Sequence, residues 1–107
     1  MELITGEIAM QLTSQFHKGA ILEGQNVIVK LFDPCGSWTW YFMNQDPEDP
    51  TYLWGIVKGF EIEMGSMYLP ELEEYRGRLE IGIERDLNFN PLPAKEVWER
   101  LLRGEII

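Results

Sequence analysis

At 107 residues, with 45% hydrophobic and 12% aromatic side chains, the chain can bury one core and is too apolar to stay disordered. Eighteen acidic residues against nine basic ones leave a formal charge of −9, which repels phosphate backbones and anionic headgroups and argues against direct nucleic-acid or membrane binding. A lone cysteine excludes an intrachain disulfide, and with one histidine it cannot supply the usual ligand set of a structural zinc.

In chain order, Glu7 to Lys18 reads as a helix, because Ile8, Leu12 and Phe16 recur every four residues with Ala9 and Met10 at the flanks. Thr5 is its expected N-cap, Glu7 suits the positive end of the helix, and Lys18-Gly19 its stop. After a connection from Ala20 to Asn26, the β-branched run Val27–Phe32 reads as a strand that ends at the turn Asp33-Pro34-Cys35-Gly36. Trp38 to Met43 alternates, which sets Trp38, Trp40 and Phe42 on one face and Thr39, Tyr41 and Met43 on the other. Asn44 to Pro50 is polar, carries two prolines and three carboxylates, and is expected to be an exposed loop. Tyr52–Lys58 forms a third strand.

A fourth strand is expected from Glu63 to Leu69, where Gly65 suggests a bulge. Pro70 opens a short helix near 70–76, with Glu71 in its first turn and Arg76-Gly77 as its end. Ile81, Ile83, Leu87 and Phe89 nearly alternate, so Leu79 to Phe89 is expected to be a strand or extended segment. Ala94 to Arg103 is an amphipathic helix with Val97, Trp98, Leu101 and Leu102 as its apolar face. The expected fold is one α+β domain over residues 1–107, an antiparallel meander of about four strands packed against N- and C-terminal helices. The two longer helices are expected on one sheet face, with the other partly open.

No residue pattern calls for catalysis, a metal or a cofactor. Cys35 has only His17 as a possible imidazole partner, so both read as structural or surface groups. There is neither a P-loop nor a Gly-x-Gly-x-x-Gly motif, and the loop Asp46-Pro47-Glu48-Asp49-Pro50 lacks the spacing and glycine of an EF-hand. The candidate binding residues are Trp40 on the aromatic sheet face, the loop carboxylates Asp46, Glu48 and Asp49, and Glu84, Arg85 and Asp86. Arg85 between two acids reads as an ion-pair network or a recognition spot. Met1–Glu7 lacks the basic and apolar regions of a secretory signal, and no apolar run reaches the ~18–20 residues of a membrane span, so the expected location is cytoplasmic.

Several blocks, in order, resemble one bacterial family of uncharacterised proteins, domain of unknown function 2958. They are Val29–Pro34, Thr39-Trp40-Tyr41, Trp54–Glu61, Met64-Gly65, Leu69–Glu73, Arg76-Gly77 and Ile83–Phe89, so the resemblance runs from about Val27 to Pro91 with a weaker match in the first helix. Pro70 stands where the family pattern has a capping Ser, and Asn88 where an aromatic or His often precedes the final Phe. The resemblance implies small stand-alone proteins of plasmids and conjugative elements, near antirestriction and replication genes, with no known reaction, cofactor or catalytic residues. Composition and resemblance together point to an accessory protein that acts through protein–protein contact with a basic partner surface, DNA mimicry being one variant. The alternatives are a small divalent-metal enzyme using the carboxylates, and a small-ligand module on the aromatic sheet face.

Overall fold

The computed structural model describes all 107 residues. Helix α1 (Gly6–Ser14) begins where the Thr5 hydroxyl accepts from the Ile8 amide at 3.2 Å, the cap its sequence predicts. It ends earlier than expected. A separate 3₁₀ turn covers Phe16–Lys18, and Gly19 closes it at φ 53°, a conformation that favours glycine. Leu12 is fully buried, whereas Phe16, beyond the helix, is 43% exposed, so the apolar stripe stops one step short.

Strands β1 (Asn26–Val27), β2 (Val29–Phe32), β3 (Thr39–Asp46), β4 (Asp49–Lys58) and β5 (Ile62–Tyr68) follow. Helix α2 (Leu69–Glu74), β6 (Glu84–Arg85), β7 (Leu92–Pro93) and α3 (Ala94–Leu102) complete the chain. The meander β2 to β5 is antiparallel throughout, and β6 adds to its β2 edge, giving the order β5-β4-β3-β2-β6. A separate two-stranded ladder joins β1 to β7. The α+β meander is thus the expected one, enlarged by short strands.

Three local expectations are corrected. Asn44 and Gln45 are buried strand residues, and the exposed loop contracts to a hairpin tip in which Asp46 pairs with Asp49. Gly65 sits in unbroken register opposite Gly55, while the ladder irregularities fall in β3, between Phe42 and Asn44 and between Gln45 and Asp46. Only Glu84–Arg85 of the segment 79–89 is strand, because Leu79 and Glu80 take φ near +60° and turn the chain back.

Both faces of the sheet are covered, each by one of the longer helices, rather than one face by both. Trp40 and Phe42 pack with Leu12, Leu31, Leu53 and Leu72 into the core under α1 and α2. Tyr41 and Met43, one position out of phase, join Val27, Ile56, Val97 and Leu101 in the core under α3. The alternation read from Trp38 to Met43 is the one observed. Helix α3 buries Ala94, Val97 and Leu101, and its Leu102 is exposed.

Polar side chains pin the connection between the 3₁₀ turn and β1. Met43 is skipped in the β3–β4 register, and Gln15 Nε2 donates to its carbonyl at 2.6 Å and to the Asn26 carbonyl, while Gln15 Oε1 accepts from the Asn26 amide. Asn44 Nδ2 donates to the Gly19 carbonyl and to Gln25 Oε1, so buried polar groups on β3 hold the loop down. On the far side, Lys30 Nζ and Tyr41 Oη both donate to the main-chain oxygen of Ile107, at 2.6 and 3.2 Å, and Lys30 lies 3.5 Å from Asp86.

Two predictions follow from this packing. A Cβ on Gly55 would overlap the Tyr41 carbonyl and Phe42 Cα, whereas one on Gly65 meets nothing. Gly55→Ala should therefore lower stability in urea melts by roughly 1–3 kcal/mol, the range of an overpacked core, and Gly65→Ala should be neutral or stabilise by up to about 1 kcal/mol. Burial, and after it the charge of Asp86, pushes the Tyr41 phenol up to about 12 from 10.0. The folded chain keeps this proton while the unfolded chain gives it up, so the stability it carries is whole below pH 10.0 and is lost as the pH rises through about 12. Ultraviolet titration of tyrosine ionisation should show a late-titrating phenol that Tyr41→Phe removes, and the variant's stability should fall less steeply across that window.

Candidate functional site

One end of β3 builds an aromatic recess. The turn between β2 and β3 is closed by the Gly36 amide donating to the Asp33 carbonyl at 3.2 Å, and Cys35 N–H donates to Asp33 Oδ1 at 3.0 Å. Trp38 and Trp40 leave that turn on the same sheet face, their rings 6.3 Å apart and tilted by 35°. Helix α2 crosses the same face with Leu72 down, and Tyr75, just past its end, donates from its hydroxyl to Asp33 Oδ2 at 3.3 Å. Ile83, after the turn at Leu79–Glu80, closes the recess, whose volume is about 320 Å³.

The walls are mostly apolar, and the only charged side chains on them are Asp33 and Glu71. The charge of Asp33 raises the Tyr75 phenol above its ordinary value, with burial and the hydrogen bond adding to it. Trp40 is 6% exposed and its Nε1–H is buried without an acceptor, so it contributes ring surface rather than a donor. Aromatic faces with carboxylate acceptors and no cation suit a positively charged group, since the ring quadrupole attracts it and the carboxylates accept its hydrogen bonds.

Of the residues singled out from sequence, Trp40 alone lines this recess. Asp46, Glu48 and Asp49 sit at the opposite end of β3, where Asp46 is roughly 20 Å from Trp40 at ~3.3 Å per residue. There Asp46 Oδ1 accepts from the Glu48 amide at 2.8 Å, and Asp49 Oδ1 accepts from the Thr51 amide and hydroxyl, so two of these carboxylates serve the hairpin turn. Arg85 makes no ion pair with Glu84 or Asp86. Its Nη1 donates to the carbonyls of Glu2 and Leu3, at 2.5 and 3.1 Å, and Asp86 instead faces Lys30 and accepts from the Asn88 amide at 2.9 Å. No three His, Cys, Asp or Glu side chains converge as a metal-binding group, and no helix is long and apolar enough to cross a membrane.

Sequence reasoning passed over Asp33, Glu71, Leu72, Tyr75 and Ile83. Three separate segments bring them together, and the Asp-Pro turn beside a Trp-x-Trp strand was the only local signal.

Fold and recess define a small α+β protein with an aromatic, carboxylate-rimmed recess at one end of its meander. Residues 3–105 match the family model described as "Protein of unknown function (DUF2958)", and the chain belongs to that family. The match takes in both α1 and α3 as well as the sheet. No similar protein was found among curated proteins, and no similar fold among solved structures.

Arg85 predicts a stability effect rather than a binding one. Arg85→Ala removes the donors that hold the Glu2 and Leu3 carbonyls against β6, at a cost of roughly 1–3 kcal/mol for hydrogen bonds from a charged group. Amide hydrogen exchange should show the Ile8 and Ala9 amides, which are bonded to Thr5, losing protection first, and the recess tryptophans should keep their chemical shifts.

Proposed function

We propose that the protein is a non-enzymatic accessory binding protein of a bacterial mobile element, acting in the cytoplasm through contact with a protein partner that presents a basic surface. The observation that carries this reading is the recess itself, walled by Trp38, Trp40 and Tyr75 with Asp33 and Glu71 as its only charges. The mobile-element setting comes from the family resemblance, and the formal charge of −9 supports a basic partner over nucleic acid or an anionic membrane.

An arginine side chain suits the recess better than a lysine. Its planar guanidinium stacks on indole and phenol faces and offers five donors to carboxylates, whereas an ammonium is a compact, strongly hydrated point charge. One such contact is weak. A cation over a ring is worth roughly 0.5–2 kcal/mol and an exposed ion pair roughly 0.2–1 kcal/mol. A single arginine should therefore bind at about millimolar concentration or more weakly, and useful affinity requires further contacts on the same partner.

Titration of the protein with N-acetyl-argininamide, followed by NMR, should give saturable shifts of the Trp38 and Tyr75 side-chain signals. The isosteric but neutral N-acetyl-citrullinamide should leave them in place. Glu71→Gln should weaken the arginine compound about two- to fivefold, the effect of one exposed carboxylate. Equal shifts from both compounds, or none from either, contradict the reading.

A further inference from the structure

The recess does not end at Trp38. On the other side of that ring lies a second hollow of about 410 Å³, walled by Val57, Gly59 and Phe60 and by the carboxylates Glu61 and Glu63. Trp38 is the wall common to both. Phe60 stands edge-on to it, ring centroids 5.5 Å apart at 81°. Gly59 lets the turn lie against the indole, because a Cβ there would meet Trp38 Cη2 at 2.5 Å.

Phe60 is 95% exposed, the most of any large apolar side chain in the molecule. A phenyl ring held in water gains nothing for the free protein. Next to a half-buried indole it makes an aromatic anchor of the kind that dominates binding energies at protein interfaces. The charges follow the same rule on both sides of Trp38. Asp33 and Glu71 line one hollow, Glu61 and Glu63 the other, and no Lys or Arg lines either. Lys58 follows Val57 in β4 and falls on the opposite sheet face by alternation.

We infer that the two hollows form one groove that takes a single extended segment of a partner protein bearing two or more arginines. One guanidinium lies in the Trp38–Trp40–Tyr75 recess and another between Phe60 and the Glu61 and Glu63 carboxylates. The inference rests on the cation-binding reading of the first recess and adds the second site and the form of the partner. Charge complementarity selects this occupant. A second copy of the chain would bring four carboxylates against four, and an anionic lipid surface or a nucleic acid would be repelled by the same groups. Two weak sites on one segment act at a raised effective concentration, which supplies the affinity that either site lacks alone.

The test compares two probes, N-acetyl-argininamide and an acetylated hexa-arginine amide, at physiological salt. The hexapeptide should bind at least about tenfold more tightly, as linked sites do. Phe60→Ala and the pair Glu61→Gln/Glu63→Gln should each remove most of that gain, while the argininamide-induced shift of Tyr75, which lines the first recess only, stays as in the parent protein. Phe60 supports no core, so the alanine variant should fold, which circular dichroism verifies. A matched loss of two charges on the far face, Glu96→Gln/Glu99→Gln, should keep most of the gain. If argininamide binds but the gain survives the changes at Phe60, Glu61 and Glu63, or falls as far with the α3 pair, the second site is wrong and the first reading stands. If neither probe binds, the cation-binding reading itself fails.

Discussion

Strand β3 is asked to serve two interiors at once, and most of the molecule follows from how it does so. Trp40 and Phe42 fill the core beneath α1 and α2, and Tyr41 and Met43 fill the core beneath α3. Four large side chains in a row leave no slack in the ladder beside them. The neighbouring strand accommodates them with Gly55, which lets β4 approach the Tyr41 carbonyl and Phe42 Cα, and the ladder slips by one residue just after, at Met43. The carbonyl at that slip accepts from Gln15, which ties the end of the first helix to the sheet. Helix placement, bulge and loop pinning are thus consequences of one crowded strand.

The groove is a by-product of the same arrangement. Helix α2 has six residues, too few to cover the sheet face it crosses, and its Leu72 reaches only part of the aromatic surface. Trp38, at the strand entrance, is left between Trp40, tilted 35° from it, and Phe60, nearly perpendicular to it at 81°. A core strand that runs past its covering helix exposes aromatic surface, and carboxylates from the β2–β3 turn, α2 and the β4–β5 turn stand around it. Nothing in the fold neutralises those carboxylates, in contrast to Glu105, which two arginines hold below the ordinary carboxylate range.

Local features were legible in the sequence where one physical rule acted alone. The Thr5 cap, the Asp33–Gly36 turn and the out-of-phase rings of Trp38 to Met43 each need only a few consecutive residues. Long-range features were not. The near-alternation of Ile81, Ile83, Leu87 and Phe89 mimics a strand, but only Glu84 and Arg85 find partners on β2 and a turn at Asp86 ends the pairing. The charges flanking Arg85 suggested an ion-pair network, yet its acceptors are carbonyls more than eighty positions away in the chain. The hairpin is rich in carboxylates by composition, while two of them, Asp46 and Asp49, close its own turn. The aromatic recess draws on three segments that no periodicity connects.

Isotope-edited NOE spectroscopy on the free protein tests the two-faced strand most directly. If β3 divides its side chains as described, the Trp40 and Phe42 rings give NOEs to Leu12 and Leu72, and Tyr41 and Met43 give NOEs to Val97 and Leu101, with no crossover between the sets. Contacts from both sets to the same helix would contradict the division, and with it the position of the groove that the strand creates.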